Sequence, residues 1–499
     1  MRRQTNCVLM MAMIALAAAN AARAEEPHQV ALAIQISSAK TDGRYPLEQI
    51  ARLTQDAGFD GLLLTDRDSM RWEYGLWPLR RIARKVVQQE SIATYGWQRY
   101  FNDIERLRGQ FPRLIISPGV ETAPFYYWSG GLKERRLALH NTQAHMLVFG
   151  LSPGALEKLP VMTRFGAVYA PWHASDLLRL WPLVLIGAGL ALMWATQPPG
   201  FMWKPSQIKR HKKQRRVAWL VLTAGVLISI NNFPFRASRF DPYHGDAGVA
   251  PYQEVIDQVR QQQGLIFWAH PEAAYSLTSG RVHLQTDSQV GYLEQARGYA
   301  GYCVFYEGYT SIGRPGGVWD KLLQEYVSGR RQDPVWAIGG LAFDYDGRLE
   351  QRLADLRTVA FVEKRDEAGI LDALRNGRMY VIRGNASAQF VLDDFSLSNG
   401  VGQTRTAMGQ TADRMNGTPL VRVAAHFRDG QPRPVKVFLI KDGRKIAVWD
   451  KEIPFALTFE DRHADAAPAY YRLEITGAGL HVVSNPIFFV TNQHELHTN

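Results

Sequence analysis

The chain has 499 residues, with 58 Lys and Arg against 47 Asp and Glu, a net charge of +11 and 46% apolar residues. Its mean hydropathy of −0.22 excludes a many-spanning transporter, and the apolar content excludes a disordered or collagen-like chain. The two cysteines, Cys7 and Cys303, exclude a disulfide scaffold and a Cys-based zinc site. A chain of this length has room for several domains.

Residues 1–24 read as a secretory signal. Arg2 and Arg3 form the charged start, Cys7 to Ala19 the apolar stretch, and Ala22-Arg23-Ala24 the cleavage site before Glu25. From 25 to 176 short apolar runs alternate with helix-like segments. Runs ending at Ile36, Thr65, Val120 and Phe149 predict strands, and 46–57 predicts a helix with Leu47, Ile50 and Leu53 on one face.

The stretch 177–235 breaks this alternation. Residues 181–196 and 217–230 are apolar and uncharged, whereas 197–216 hold seven Lys and Arg and no acid. Flanking Leu177, Leu178, Phe233 and Phe235 extend both runs toward the roughly 20 residues that span a bilayer, and Trp181, Trp194, Trp203 and Trp219 supply interfacial aromatics. The reading is a transmembrane hairpin with a basic loop over 197–216; a pair of buried core helices is the alternative. Basic loops stay cytoplasmic. Both flanking parts therefore lie on the far side, where the signal would deliver them. In a bacterium this is the inner membrane, with the soluble parts in the periplasm.

Strand-like runs resume over 236–386, ending at Ala269, Phe305 and Ile338, with helices over 316–328 and 366–376. Strand and helix alternating about seven times predicts an α/β barrel-like fold, into which the hairpin is inserted. From 387 to 499 only β-like runs appear, separated by turns such as Lys441-Asp442-Gly443-Arg444. This predicts a small all-β, immunoglobulin-like sandwich. The positive charges lie mainly in the signal and the basic loop, and what remains is close to neutral. Nucleic acid is therefore not the expected partner.

Phosphate-loop, GxSxG, HExxH and CxxC motifs are absent. Asp66, Glu121, His145, His270 and Glu307 stand at the ends of predicted strands, the active face of barrel enzymes. One Glu and two His suit a single zinc, manganese or iron ion. Each of these residues taken alone is equally an ordinary core or surface residue.

The order of these residues resembles a known family. The segments IQISSAKTDGRYPLEQIARLTQDAGFDGLLLTDRD (34–68), IISPGVE (115–121), AHMLVFG (144–150), GLIFWAHPE (264–272) and GGLAFD (339–344) are similar to successive motifs of the PHP superfamily, the polymerase and histidinol phosphatase domains. RTVAFVEKRDEAGILDALRNGRMYVIRG (357–384) and SNPIFFV (484–490) resemble PHP proteins with a C-terminal β-sandwich. The resemblance implies a distorted (β/α)7 barrel with two or three metals that hydrolyses phosphoesters. Matched motif by motif, Gln35 and Ser37 stand where the family has the two His of HxH, and Arg67 stands where it has the His of TDHD. Leu341 and Phe343 stand at the terminal Asp and His. Asp42, Glu121, His145 and His270 are retained as metal-type residues. The resemblance implies one complete centre of Glu121, His145 and His270, with only Asp42 left of another.

Arg67 cannot ligate a metal. With Asp66 it is the residue expected to act in any remaining catalysis, by gripping a phosphate or carboxylate. The alternative is that it pairs with Asp42, Asp66 or Asp68 and fills the site. Three functions stay open: a pseudoenzyme binding a ligand or partner, a weak mononuclear phosphoesterase with Arg67 as phosphate clamp, and an envelope scaffold acting through its sandwich. One divalent metal or none is expected. The expected partners are the bilayer, an anionic small molecule and an envelope protein.

Overall fold

The computed structural model describes residues 27–131, 136–162, 174–196, 205–232, 240–344, 347–399, 405–413, 417–462 and 467–490. The signal peptide expected over 1–24 and part of the expected basic loop lie outside them.

The apolar runs become β1 (His28–Ile36), β2 (Gly61–Arg67), β3 (Ile115–Thr122), β4 (Met146–Phe149), β5 (Leu265–Trp268), β6 (Gly301–Phe305) and β7 (Trp336–Gly339). They are followed by β8 (Leu356–Val362) and β9 (Met379–Arg383). These nine run side by side in one sheet in the order β7-β6-β5-β4-β3-β2-β1-β8-β9. Strands β1–β3 are parallel, as are β5–β7, but β4 is antiparallel to both its neighbours. Beyond β7, Leu341 and Phe343 donate their N–H groups to the carbonyls of Ile34 and Gln35, and Ser37 donates to Phe343. These bonds tie the chain after β7 back to β1.

Leu32, Ile34, Leu62, Leu64, Val148 and Phe267 are among the residues of the buried core. Helix α1 (Leu47–Asp56) covers it with Leu47, Ile50 and Ala51, and α2 (Trp97–Gln110) with Tyr100, Ile104 and Leu107. Burial of one such aliphatic side chain contributes about 1.5–3 kcal/mol.

Two helices, α3 (Leu183–Ala195) and α4 (Pro205–Asn231), lie in the chain between β4 and β5, which pair directly from Met146 with Trp268 to Phe149 with Leu265. A Cβ on Gly189 would come within 2.8 Å of Leu222, and one on Gly225 within 2.8 Å of Ile186. The two helices therefore run antiparallel in close backbone contact. The expected loop over 197–216 is helical from Pro205 onward. Its Lys, Arg and Gln residues are good helix formers, and proline suits a first helical turn. One helical stretch, Leu177–Ala195, is long and apolar enough to cross a membrane, and it is only 11% buried. Its exposure does not fit a buried core helix. The uncharged part of α4 is shorter, because its first half is basic.

Of the strands after 387, one set continues the first sheet and the other forms a sheet of its own. Leu480–Ser484 pairs with β9, and Ala469–Gly477, Arg433–Lys441 and Arg444–Ile453 extend the same sheet. A second sheet of Thr406–Ala407, Phe390–Ser398, Leu420–Phe427 and Phe455–Glu460 faces them. The two share a core that includes Leu392, Val421 and Val423 with Val437, Leu473 and Ile475. Leu420–Phe427 alternates half-buried and buried residues throughout, the pattern of a strand with one face on a core.

Candidate metal centre

Register brings the candidate residues together. Arg67 and Glu121 are opposite each other on β2 and β3, and His145 immediately precedes β4. The N–H of Ala269 donates to the His145 carbonyl at 3.1 Å, which sets His270 beside it. Glu121 Oε1 lies 2.9 Å from His145 Nδ1 and 3.7 Å from His270 Nε2. The two imidazole nitrogens are 3.0 Å apart. Donors bound tetrahedrally to one small divalent ion at about 2.0–2.1 Å stand about 3.3 Å apart. The three residues thus have the chemistry and spacing of a single coordination sphere.

A guanidinium is already there. Arg67 Nη1 lies 2.9 Å from Glu121 Oε1 and 2.7 Å from His145 Nδ1. Arg67 Nε donates to Asp42 Oδ2 at 2.9 Å. His145 Nε2 faces the Thr142 carbonyl at 3.1 Å. Nδ1 in turn lies 2.9 Å from Glu121 Oε1, and Arg67 Nη1 lies 2.9 Å from Nε2, so either tautomer finds an acceptor for its N–H and a donor for its lone pair. Arg67 Nη1 is in reach of the carboxylate and of both ring nitrogens. A neutral imidazole nitrogen has only one lone pair. A ring nitrogen that accepts from Arg67 cannot hold a metal at the same time.

Electrostatics follow from this geometry. Burial and then the Arg67 charge push the His145 imidazolium down to about 4, so the ring is neutral at pH 7. Burial works against the Glu121 charge, but Arg67 and His145 hold its carboxyl well below the usual range. Burial likewise works against the Arg67 charge, and Glu121 and Asp42 raise its pKa nonetheless.

Asp66 is elsewhere. It is fully buried, and its carboxylate accepts hydrogen bonds from Ser38 N–H, Ser38 Oγ, Thr41 Oγ1 and Tyr100 Oη. Burial raises its pKa, partly offset by these donors. This places Asp66 as the anchor of the turn after β1 and outside the cluster. The Nε and Nη1 groups of Arg67, expected to clamp a phosphate, are closed on Asp42 and Glu121. Asp42 enters as an ion-pair partner of Arg67 and is not part of the Glu121, His145 and His270 donor set. Asp68 Oδ1 accepts from Ser69 N–H, and Glu307 is exposed in the turn after β6.

The remaining motif positions pack the cluster. Gln35 Nε2 donates to Glu121 Oε1 at 3.5 Å. Leu341 and Phe343 are buried, with the Phe343 ring 5.7 Å from that of Tyr45. Thr142 escaped the sequence reading because it acts through its carbonyl, which carries no residue-specific signal. His270 Nδ1 is buried without a hydrogen-bond partner among the described residues, whereas metal-bound imidazoles ordinarily donate that N–H. The donor set therefore fits one divalent ion in type and spacing, provided Arg67 withdraws.

No family model matches the chain, and no curated protein matches it. Among solved structures, it is similar to a two-domain protein from Bacteroides vulgatus described as containing a predicted PHP-like metal-dependent phosphoesterase. That match has 10% identity and a TM-score of 0.33, covering 90% of this chain and 91% of the other. A Bifidobacterium adolescentis protein assigned as a metal-dependent phosphoesterase matches at 14% identity and a TM-score of 0.28, over 70% of this chain and 97% of the other. An amidohydrolase from Chromobacterium violaceum with bound sulfate and no metal matches at 15% identity and a TM-score of 0.26, over 63% and 88%. Likeness at this level leaves family and activity open.

Proposed function

We propose that this chain is a membrane-anchored, extracytoplasmic PHP-type protein whose catalytic centre has become a binding site. In this reading the first sheet is a distorted (β/α)7 barrel, α3 and α4 are an inserted transmembrane hairpin, and the C-terminal strands form an immunoglobulin-like sandwich. The protein is a pseudoenzyme that holds an anionic ligand or an envelope partner at the inner membrane, with both soluble parts in the periplasm. The motif order along the chain supports the family. The observation that carries the loss of catalysis is the Arg67 guanidinium within 2.9 Å of Glu121 and 2.7 Å of His145. The chain supplies internally the positive charge that a metal would bring.

The spacing of Glu121, His145 and His270 favours a second reading, a mononuclear metal-dependent phosphoesterase. These three residues would hold the ion, which when bound supplies a Lewis acid and an acidified water. In this reading Arg67 must swing away to free His145 Nδ1.

Metal content separates the two readings. The full chain, purified in detergent, saturated with zinc and dialysed, should retain far less than one equivalent. Arg67→Ala should retain about one, and a further His145→Ala should abolish it. Stoichiometric metal in the wild type, lost with His145→Ala, would overturn the pseudoenzyme reading. So would wild-type turnover of a simple phosphodiester that disappears in Glu121→Gln.

A further inference from the structure

We infer that the β-hairpin over 71–88 is a second membrane contact, which seats its tip in the headgroup layer of an anionic bilayer beside the helix pair. This rests on the membrane-anchoring reading above and adds a surface to it. The hairpin joins Arg71–Gly75 to Arg84–Gln88 in antiparallel register, Arg71 with Gln88 through Gly75 with Arg84. Its sequence, RWEYGLWPLRRIARKVVQ, has five basic residues against the single Glu73, with which Arg71 and Arg84 pair. Leu76, Trp77, Ile82, Val86 and Val87 are all exposed, Trp77 by 80%. Clustered apolar side chains left in water mark an interaction surface.

Its place in the fold indicates the partner. The N–H of Arg81 donates to Asn231 Oδ1 at 2.9 Å. Asn231 is the last residue of α4, at the opposite end from the basic Lys209–Arg216 stretch. The tip is therefore level with the end of the apolar helix that returns to the soluble side. Trp181, just before α3, is exposed at the same end. Trp and Tyr collect at headgroup depth, and Lys and Arg near them meet lipid phosphates.

The hairpin is also held firmly to the body. The N–H of Gly75 donates to Tyr243 Oη at 2.6 Å, and Trp128 Nε1 donates to the Glu73 carbonyl at 2.9 Å. The Arg80 guanidinium lies 4.1 Å over the Tyr243 ring. A Cβ at position 75 would sit 1.8 Å from the Arg80 carbonyl oxygen, so the turn needs glycine there. A rigid platform loses little conformational freedom when it docks.

The test uses the full chain with Cys7→Ser, reconstituted in phosphatidylglycerol-rich vesicles. Nitroxide labels are placed in turn at Trp77→Cys, at Leu190→Cys on the exposed side of α3 and at Val448→Cys on a distant exposed strand. Positions 77 and 190 should be severalfold less accessible to a water-soluble nickel relaxer than 448. In phosphatidylcholine vesicles, position 77 should lose much of this protection. If 77 is as accessible as 448 while 190 is protected, the hairpin inference fails and the anchoring reading stands. If 190 is accessible too, both fail. Equal protection of 77 in the two lipids would overturn the anionic-headgroup assignment.

Discussion

Two arginines organise two regions of this molecule, and their partners differ in kind. Arg472, on the C-terminal strand Ala469–Gly477, is 0% exposed. Its Nε and Nη2 grip both oxygens of Asp320, its Nη1 meets Glu474, and Nη2 also reaches the Gly313 carbonyl. Asp320 belongs to α5 (Val318–Val327), so the pair clasps the helix next to β7 onto the C-terminal sheet. Every hydrogen-bond partner is an oxygen acceptor arranged around a planar fork, as arginine recognition requires, and the Trp319 ring lies 4.9 Å from the guanidinium. Arg67 instead meets one oxygen of Asp42, one of Glu121 and an imidazole lone pair. Of these, the Glu121 oxygen and the imidazole converge with His270 at the spacing of a small ion, not that of a fork. The first arginine fits a site shaped for arginine, and the second occupies a site shaped for something else.

The sharpest way to break this comparison is to remove each cation in turn. Arg472→Met leaves Asp320 and Glu474 buried beside each other without compensation. Loss of one partner of a buried ion pair costs about 3–5 kcal/mol, and thermal denaturation of the full chain should show it with or without zinc. An unchanged melting temperature would mean that the clasp does not hold the two regions together.

Arg67→Ala should behave differently. In chelator it melts below the wild type, because the buried Glu121 carboxylate loses its cation. Zinc should restore it, by about 2.7 kcal/mol at a hundredfold excess over the dissociation constant, while the wild type responds little. Equal zinc responses in the two proteins would remove the claim that arginine and metal compete for the same donors. A zinc response in Arg472→Met would erase the contrast from the other side.

The strands were the most legible part of the fold, because β1–β7 are short apolar runs bounded by turns and buried on both faces. Glu121, His145 and His270 were legible for a related reason: each stands at the end of such a run, where a polar residue is conspicuous. Three features were not. The reversed direction of β4 leaves no trace in its own residues, since MLVF reads the same either way. The continuity of the sheet from β9 into Leu480–Ser484 depends on edge hydrogen bonds, which composition does not encode. The basic residues from Lys209 to Arg216 read as a polar loop between two apolar runs, yet Lys, Arg and Gln are equally good helix formers. Arg67 was visible as a substitution, and its two open fates were a clamp and a plug. Only the positions of Nε and Nη1 on Asp42 and Glu121 distinguish them.

A milder perturbation tests the clasp through pH. Burial opposes ionisation of Glu474, but His481 and Arg472 hold its carboxyl below the usual range. An unfolded glutamate titrates near about 4.3. Below that value the unfolded chain takes up the proton before the folded one, so stability falls as the pH drops toward the lowered folded value. Above it, the full contribution is present and does not vary with pH. Glu474→Gln should therefore flatten part of the acid limb of the stability curve, at the cost of a constant loss at neutral pH from the weakened bond to Arg472. The signature is the change of slope, read from melting temperatures between about pH 3 and 6. An acid limb of the same slope in Glu474→Gln would show that Glu474 does not carry the pH dependence of the clasp.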